Sequence, residues 1–450
     1  MRTGRLPETD RGSQFAVHGK PAPSRPVVES PSFSLGDRTT GRPDDFISPR
    51  FRRFFLRAAP RFIPALLPLL FAACATTAPP SLAAHIDEAT HRPPFQHAFW
   101  SILVEEDDGK VLYANNADKL TIPASNRKLF AAATIASCLG PSAQLTTEVW
   151  RDGDDLVLRG DGDPSLGSWR YERSGDFDAL ADTLRARGIT RVRDVIADVS
   201  LFDRITFPGG WKYGNKGADY SAPVDALAWG ENEIPVDRAV DDPGLHAATT
   251  LREALVLRGV AVTGVARVNT EPRLWAEKVT TIPSPFVGQL LTTMLKNSHN
   301  LYAEMLLKRT GGGTYDGAFA TERAFLTSDP KVDGDSFRFV DGSGLAPDDL
   351  VTPQATIRIL RWMNDPSRRA FWWSVLATPN QEGTLRRRIV ALETRMRGKT
   401  GTINGVNALS GILSMPNGRF RYFVVVVNHH NGDGDEAVKI IDEIVTTIAN

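Results

Sequence analysis

Arg395-Met396-Arg397-Gly398-Lys399-Thr400-Gly401-Thr402 and Asn407-Ala408-Leu409-Ser410-Gly411-Ile412-Leu413-Ser414-Met415 flank the dipeptide Asn404-Gly405. Pro416-Asn417-Gly418 then leads into Arg419–Asn428, whose heart is the run Val424 to Val427. Asn-Gly between two apolar-rich runs is a strong short hairpin signal, because both turn residues must take positive φ. The valine run is too short for a helix and rich in β-branched residues, so it predicts a buried strand. Three antiparallel strands result, closed by an amphipathic helix at about Asp435–Ile448. Far upstream, Phe99–Glu105 and Lys110–Asn115 flank Asp107-Asp108-Gly109, a second hairpin. Joined, the two groups predict an α/β (α+β) fold with a five-stranded antiparallel sheet flanked by helices.

The text between them divides in two. Ile122-Pro123-Ala124 introduces a helix from about Ser125 to Leu139, apolar nearly all round and stopped by Gly140-Pro141. Such a helix belongs inside a large domain. Residues 145–271 change character: short strands (Leu145–Trp150, Leu156–Arg159, Val192–Val199) alternate with glycine-rich turns and helices near Phe177–Arg187 and Leu245–Leu257. This reads as an inserted α+β subdomain, leaving 96–144 and 272–450 as one domain. Helical text returns at Pro285–Lys296 and Asn300–Arg309, broken at Asn297-Ser298-His299.

The beginning of the chain reads differently. Residues 1–50 are rich in Arg, Pro, Ser, Gly and Thr and predict a disordered extension, with a later true start. Arg52-Arg53 and Arg57 precede an apolar run from Phe62 to Ala73, so 51–74 has the form of a secretory signal. Leu70-Phe71-Ala72-Ala73-Cys74 resembles a lipobox, which would make Cys74 the lipidated first residue and 75–95 a tether. The expected location is the periplasm, on a lipid anchor. With 53 basic and 53 acidic residues, the chain carries no net field to attract nucleic acid. Two cysteines exclude a disulfide framework and a multi-cysteine metal site.

Three short elements carry chemistry: Ser125-Asn126-Arg127-Lys128, Ser298-His299-Asn300 and Lys399-Thr400-Gly401. Each alone is weak; their order and the element each occupies make the signal. Ser125 and Lys128 are three apart, so on a helix they share a face. A serine hydroxyl needs an adjacent base to become a nucleophile, and a lysine serves only if its amine is neutral near pH 7. The helix N-terminus, apolar surroundings and a second cation, Lys399, would all favour the neutral form. Ser298, in the inter-helix break, can relay a proton between Lys128 and a leaving amine, and Asn300 can hold a substrate carbonyl. On a strand, Lys399 and Gly401 share one face and Thr400 takes the other. An edge strand there could pair with an extended peptide, with the Ser125 and Thr402 N–H groups forming an oxyanion hole.

The chain resembles the peptidase S13 family: D-alanyl-D-alanine carboxypeptidases and endopeptidases of the low-molecular-mass, class C penicillin-binding type. The resemblance runs from about Phe99 to the C-terminus. It rests on the three elements, on Pro123-Ala124-Ser125-Asn126, and on Asn300-Leu301-Tyr302-Ala303-Glu304. Asp341-Gly342-Ser343-Gly344-Leu345, Gly383-Thr384-Leu385-Arg386 and Lys399-Thr400-Gly401-Thr402 complete it. It implies a serine β-lactamase/transpeptidase-like domain, with Ser125 acylated by peptidoglycan peptides and by β-lactam antibiotics and Lys128 as its base. Ser298, Asn300, Lys399 and Thr400 would then bind substrate and shuttle protons, with no metal and no cofactor. Two departures stand out. His299 occupies a position usually held by Asp or Asn, and the insert is short around Asn232–Val236. The rival functions are a β-lactamase or esterase on the same scaffold, and a non-catalytic wall-binding scaffold. Asn431-Gly432-Asp433-Gly434-Asp435 alternates oxygens like a calcium loop but has Glu436 where the sixth-position glycine belongs, so a helix-capping turn explains it better.

Overall fold

The computed structural model describes residues 81–234 and 237–450. The extension, the signal-like segment and Cys74 lie outside the described residues.

The C-terminal hairpins form as their turn signals require. Met396–Ile403, Val406–Ser414 and Phe420–Asn428 pair antiparallel in sequence, with Lys399 opposite Ser410 and Gly401 opposite Ala408. Phe99–Glu106 then pairs with Phe420–Asn428, and Val111–Asn115 closes the far edge. The sheet is therefore five-stranded and antiparallel, with Met396–Ile403 at one edge. Strand alternation sends Val424 and Val426 to one face and Phe423, Val425 and Val427 to the other.

Each face buries a different helical layer. On one lie Lys128–Leu139, Val287–Lys296, Asn300–Thr310 and Pro353–Met363, packed into one core with Leu103 and Ile412. On the other, Gly434–Ile448 sets Ile441, Ile444 and Ile448 against Ile102 and Leu409. That helix is capped by the Asp433 side chain, which accepts from the Asp435 N–H, as a capping turn should. Asp435 and Glu436 in its first turn suit the positive end of the dipole.

A second five-stranded sheet occupies the middle of the chain. Its order is Ala266–Asn269, Val195–Asp198, Asp155–Arg159, Gln144–Asp152 and Glu277–Phe286. The first three strands run parallel, the remaining pairings antiparallel. Helices Asp176–Ala186 and Pro243–Leu257 pack on it through Phe177, Leu180, Ala247 and Leu251.

Three readings need correction. The stretch expected as a tether holds a helix, Leu82–Thr90, capped by Ser81 and burying Ile86 and Ala89 in the core beside Gly434–Ile448. Within the text from 272 on, grouped above with the C-terminal domain, Glu277–Phe286 is a strand of the middle sheet, paired with Gln144–Asp152. Helix accordingly starts at Val287 rather than Pro285, because Phe286 still pairs with Gln144.

Candidate active site

Pro123 and Ala124 turn the chain into a 3-10 turn, Ala124–Arg127, that continues as the helix Lys128–Leu139. The start is tighter than the helix expected from Ser125, but residues three apart eclipse in a 3-10 turn. Lys128 Nζ consequently lies 3.0 Å from Ser125 Oγ. Ala124 holds a left-handed φ of 46°, strain that the surroundings must fix. Gly344 supplies part of that fixation. A Cβ on it would lie 2.0 Å from the Ala124 carbonyl oxygen, so only glycine lets the Asp341–Leu345 loop press on the turn.

Lys128 is fully buried and has three partners. It donates to Asn300 Oδ1 at 2.6 Å and to the Ser343 carbonyl at 2.7 Å, and its third neighbour is Ser125 Oγ. Asn300 Nδ2 donates to the Tyr220 carbonyl at 2.7 Å, which fixes its oxygen toward Lys128. A neutral amine has two N–H groups and one lone pair. Two pure acceptors take the two N–H groups, and the lone pair is left facing the only partner that can donate, the Ser125 hydroxyl.

Burial brings the Lys128 amine down to about 7, against the opposing pull of Asp341 and Glu304. The neighbouring cation that helps is Arg127. The expected repulsion appears instead on Lys399, which burial and then Lys128 push well below its usual range. Behind Lys128, Asp341 receives the N–H groups of Ser343, Gly344 and Ala346 and the Trp211 indole N–H. Asp349, fully buried beside it, is held well above the usual carboxylate range by burial and by Asp341, and its Oδ1 accepts from the Val340 N–H at 2.7 Å. Glu304 accepts from the Gly342 N–H and is raised by burial and Asp341 to about 7. This buried polar floor places the Ser343 carbonyl under Lys128.

Ser298 sits between two helices with a left-handed φ of 61°, and Lys399 Nζ donates to its Oγ at 2.8 Å. His299 begins the next helix without a side-chain cap. Its ring reaches instead to Glu231 in the middle of the chain, Nε2 to Oε2 3.0 Å. The same carboxylate accepts from Ser168 Oγ, Arg170 Nε and Tyr302 OH. Burial works to raise Glu231, yet the His299 hydrogen bond leads the donors that bring it down to about 2.

Lys399 also donates to the Thr400 carbonyl at 2.8 Å, while the Thr400 hydroxyl points away, to Thr384 Oγ1 at 2.8 Å. Gly401 backs against the nucleophile turn: a Cβ there would lie 2.8 Å from the Pro123 carbonyl and 3.1 Å from the Ser125 N. Ser125, Ser298, Asn300 and Thr402 line one cavity of about 420 Å³. The structure thus brings together Ser125, Lys128, Ser298, Asn300 and Lys399, puts Gly401 and Thr402 on the same wall, and turns the Thr400 side chain aside. Lys212, Asn215 and Tyr220 line the same cavity and escaped the sequence reading. They lie in glycine-rich irregular text, where no period marks them.

A profile of the D-Ala-D-Ala carboxypeptidase 3 (S13) family matches residues 82–237 and 226–449. The chain belongs to that S13 family. It is similar to the D-alanyl-D-alanine carboxypeptidase of Actinomadura sp. (strain R39), 28% identical over 443 residues, covering 77% of this chain and 80% of the relative. Its fold is that of penicillin binding protein 4 of Haemophilus influenzae, with a TM-score of 0.73, 17% identity and coverage of 81% of this chain and 99% of that one. A penicillin G-acylated predatory endopeptidase from Bdellovibrio bacteriovorus matches with a TM-score of 0.54 at 19% identity, over 78% of this chain and 93% of the other.

One group among the described residues of this S13 chain could offer a metal three ligands: Glu231, Glu233 and His299, whose ligand atoms lie within 4.8 Å of one another. Arg170, Ser168 and Tyr302 already donate to the Glu231 carboxylate. The donor set therefore suits an anion held by the protein better than a cation's cage. Among the described residues no helix is long and apolar enough to cross a membrane.

Proposed function

We propose that this chain is a serine-type D-alanyl-D-alanine carboxypeptidase and endopeptidase acting on peptidoglycan stem peptides through an acyl-enzyme on Ser125. The observation that carries the reading is the arrangement around Lys128: two acceptors take its N–H groups and leave a lone pair for the Ser125 hydroxyl. Ser125 Oγ attacks the carbonyl of the penultimate D-alanine as Lys128 takes its proton. The Ser125 and Thr402 N–H groups receive the oxyanion. Ser298 passes the proton to the departing amine, which is free D-alanine or the amine of a cross-link. Water then hydrolyses the ester.

Lys399, Gly401 and Asn300 bind the substrate around this centre, while the Thr400 hydroxyl, held by Thr384, stands behind them. An arriving terminal carboxylate favours the protonated form of Lys399. Asn300 keeps one N–H for a substrate carbonyl, since its other groups serve Lys128 and Tyr220. β-Lactams acylate the same serine, a reading supported by membership of the family and by the acylated Bdellovibrio relative.

In its organisation, 96–144 and 272–450 form the catalytic domain and 145–271 an insert. The pairing of Gln144–Asp152 with Glu277–Phe286 favours carrying the insert's last strand to 286. The basic and apolar run before Cys74 favours export to the periplasm and lipidation at Cys74.

Incubation with a fluorescent penicillin tests the mechanism. One adduct, mapped by peptide mass to Ser125 and lost in Ser125→Ala, is expected; labelling that survives the substitution rules the mechanism out. A persistent adduct distinguishes a carboxypeptidase from a β-lactamase, which would turn the antibiotic over.

A further inference from the structure

Ser298 must keep its hydroxyl on Lys399 while its backbone occupies a left-handed conformation that is strained for an L-residue. Such a conformation persists only where neighbours over-determine it. Asn300, on one side, is anchored through Lys128 and the Tyr220 carbonyl. His299 lies between the two, and its ring, buried to 10% exposure, reaches Glu231. Its Nδ1 is buried with no partner, so Nε2 carries the proton that faces the carboxylate. Glu231 is itself in a left-handed conformation, φ 62°, and is held from below by Ser168, Arg170 and Tyr302. The Tyr302 ring packs on the imidazole at 4.7 Å between centroids. The tether is therefore rigid at both ends. The Asp or Asn usual at this position has neither the reach nor, for Asp, the charge to meet this carboxylate.

We propose that His299 is a positioning residue: by donating to Glu231 it pins the turn at Ser298, keeping Ser298 Oγ on Lys399 and aimed to protonate the leaving amine. The inference rests on the proton path proposed above for Ser298. It gives the middle position of the second motif a task that the motif itself does not ask of it.

The departing group supplies the test. An amine leaves only if it is protonated as the C–N bond breaks, whereas a thiolate leaves as the anion, so a thioester of the same acyl group has no need of the relay. Acylation would be measured on a D-alanyl-D-alanine peptide and on the matching thioester for the parent, His299→Ala, His299→Gln, Glu231→Gln and Ser298→Ala. Active sites are counted by penicillin titration, so that misfolded protein does not enter the rates. His299→Ala and Glu231→Gln should lose about tenfold or more on the peptide and stay within about threefold on the thioester. His299→Gln, which keeps an N–H donor, should recover most of the loss, and the double variant His299→Ala/Glu231→Gln should be no worse than either single one. Equal losses on both substrates, or no loss at all, overturn the proposal. If Ser298→Ala leaves the peptide-to-thioester ratio at the parent value, the proton path itself is wrong and the tether falls with it. If Ser298→Ala shifts that ratio and the His299 and Glu231 variants do not, the tether alone is wrong.

Discussion

Arg127 and Glu322 form a two-pronged ion pair directly behind the nucleophile turn, with both N–O distances 2.7 Å and side-chain exposures of 0% and 2%. Arg127 also donates to the Asp341 carbonyl, so the turn, the helix Tyr315–Ser328 and the Asp341–Leu345 loop share one guanidinium.

Breaking one partner of such a pair strands a buried charge. Glu322→Gln should lower the unfolding free energy by about 3–5 kcal/mol. Urea melts of the variant and the parent would read this as a drop in midpoint at constant slope. An unchanged midpoint would mean that the pair contributes nothing to the turn.

Lys128 predicts a pH profile. Its amine is brought to about 7, and a base works only unprotonated, so acylation by penicillin should rise as pH passes upward through about 7 and then level off. Lys128→Arg, which stays protonated, should lose activity by orders of magnitude. Stability moves in the same direction. Between about 7 and the ordinary lysine value of 10.5 the unfolded chain holds a proton that the folded one lacks. Stability therefore gains a rising term across that window, and Lys128→Met should remove it.

Gly401 predicts a steric effect. The Cβ of Gly401→Ala would crowd the Pro123 carbonyl and the Ser125 N. Either the edge strand or the nucleophile turn must shift, and a displacement of this size at a reacting group lowers acylation by about tenfold or more. Stopped-flow acylation with a chromogenic β-lactam would measure it. A rate equal to the parent's would show that the strand yields without moving Ser125.

Cys74 predicts a change of location. Expressed from about residue 50 in a bacterial host, the chain should partition into membranes, and Cys74→Ser should shift it to the soluble fraction or leave it uncleaved. Unchanged membrane partition of a variant that is still cleaved would exclude lipidation at that residue.

The parts of the fold legible in the sequence are those written in local patterns. Asn404-Gly405 and the valine run disclose the C-terminal strands because turn chemistry and β-branching act over a few residues. Ser125 and Lys128 disclose themselves because their spacing alone sets their contact. Leu82–Thr90 was hidden by its shortness beside signal-like text, and Glu277–Phe286 by Pro283 and Pro285, which an edge strand tolerates. The bond between His299 and Glu231 joins residues 68 apart. Nothing local marks it, since the fold alone brings the two together. The same holds for Arg127 and Glu322, and for the part Arg127 takes in lowering the Lys128 amine.

Gln144–Asp152 and Glu277–Phe286 lie side by side as antiparallel neighbours, so the chain departs from the helical layer and returns to it at adjacent points. The segment between those strands is carried on these two paired legs and is tied back to the active-site residues through Trp211 on Asp341, Tyr220 on Asn300 and Glu231 on His299 and Tyr302. Residues can be gained or lost beyond the legs without altering the register of the catalytic sheet. The wall that carries Lys212, Asn215 and Tyr220 is thus built by chain outside the catalytic sheet, yet through the Tyr220 carbonyl and Glu231 the same chain sets the aim of Asn300 and Ser298.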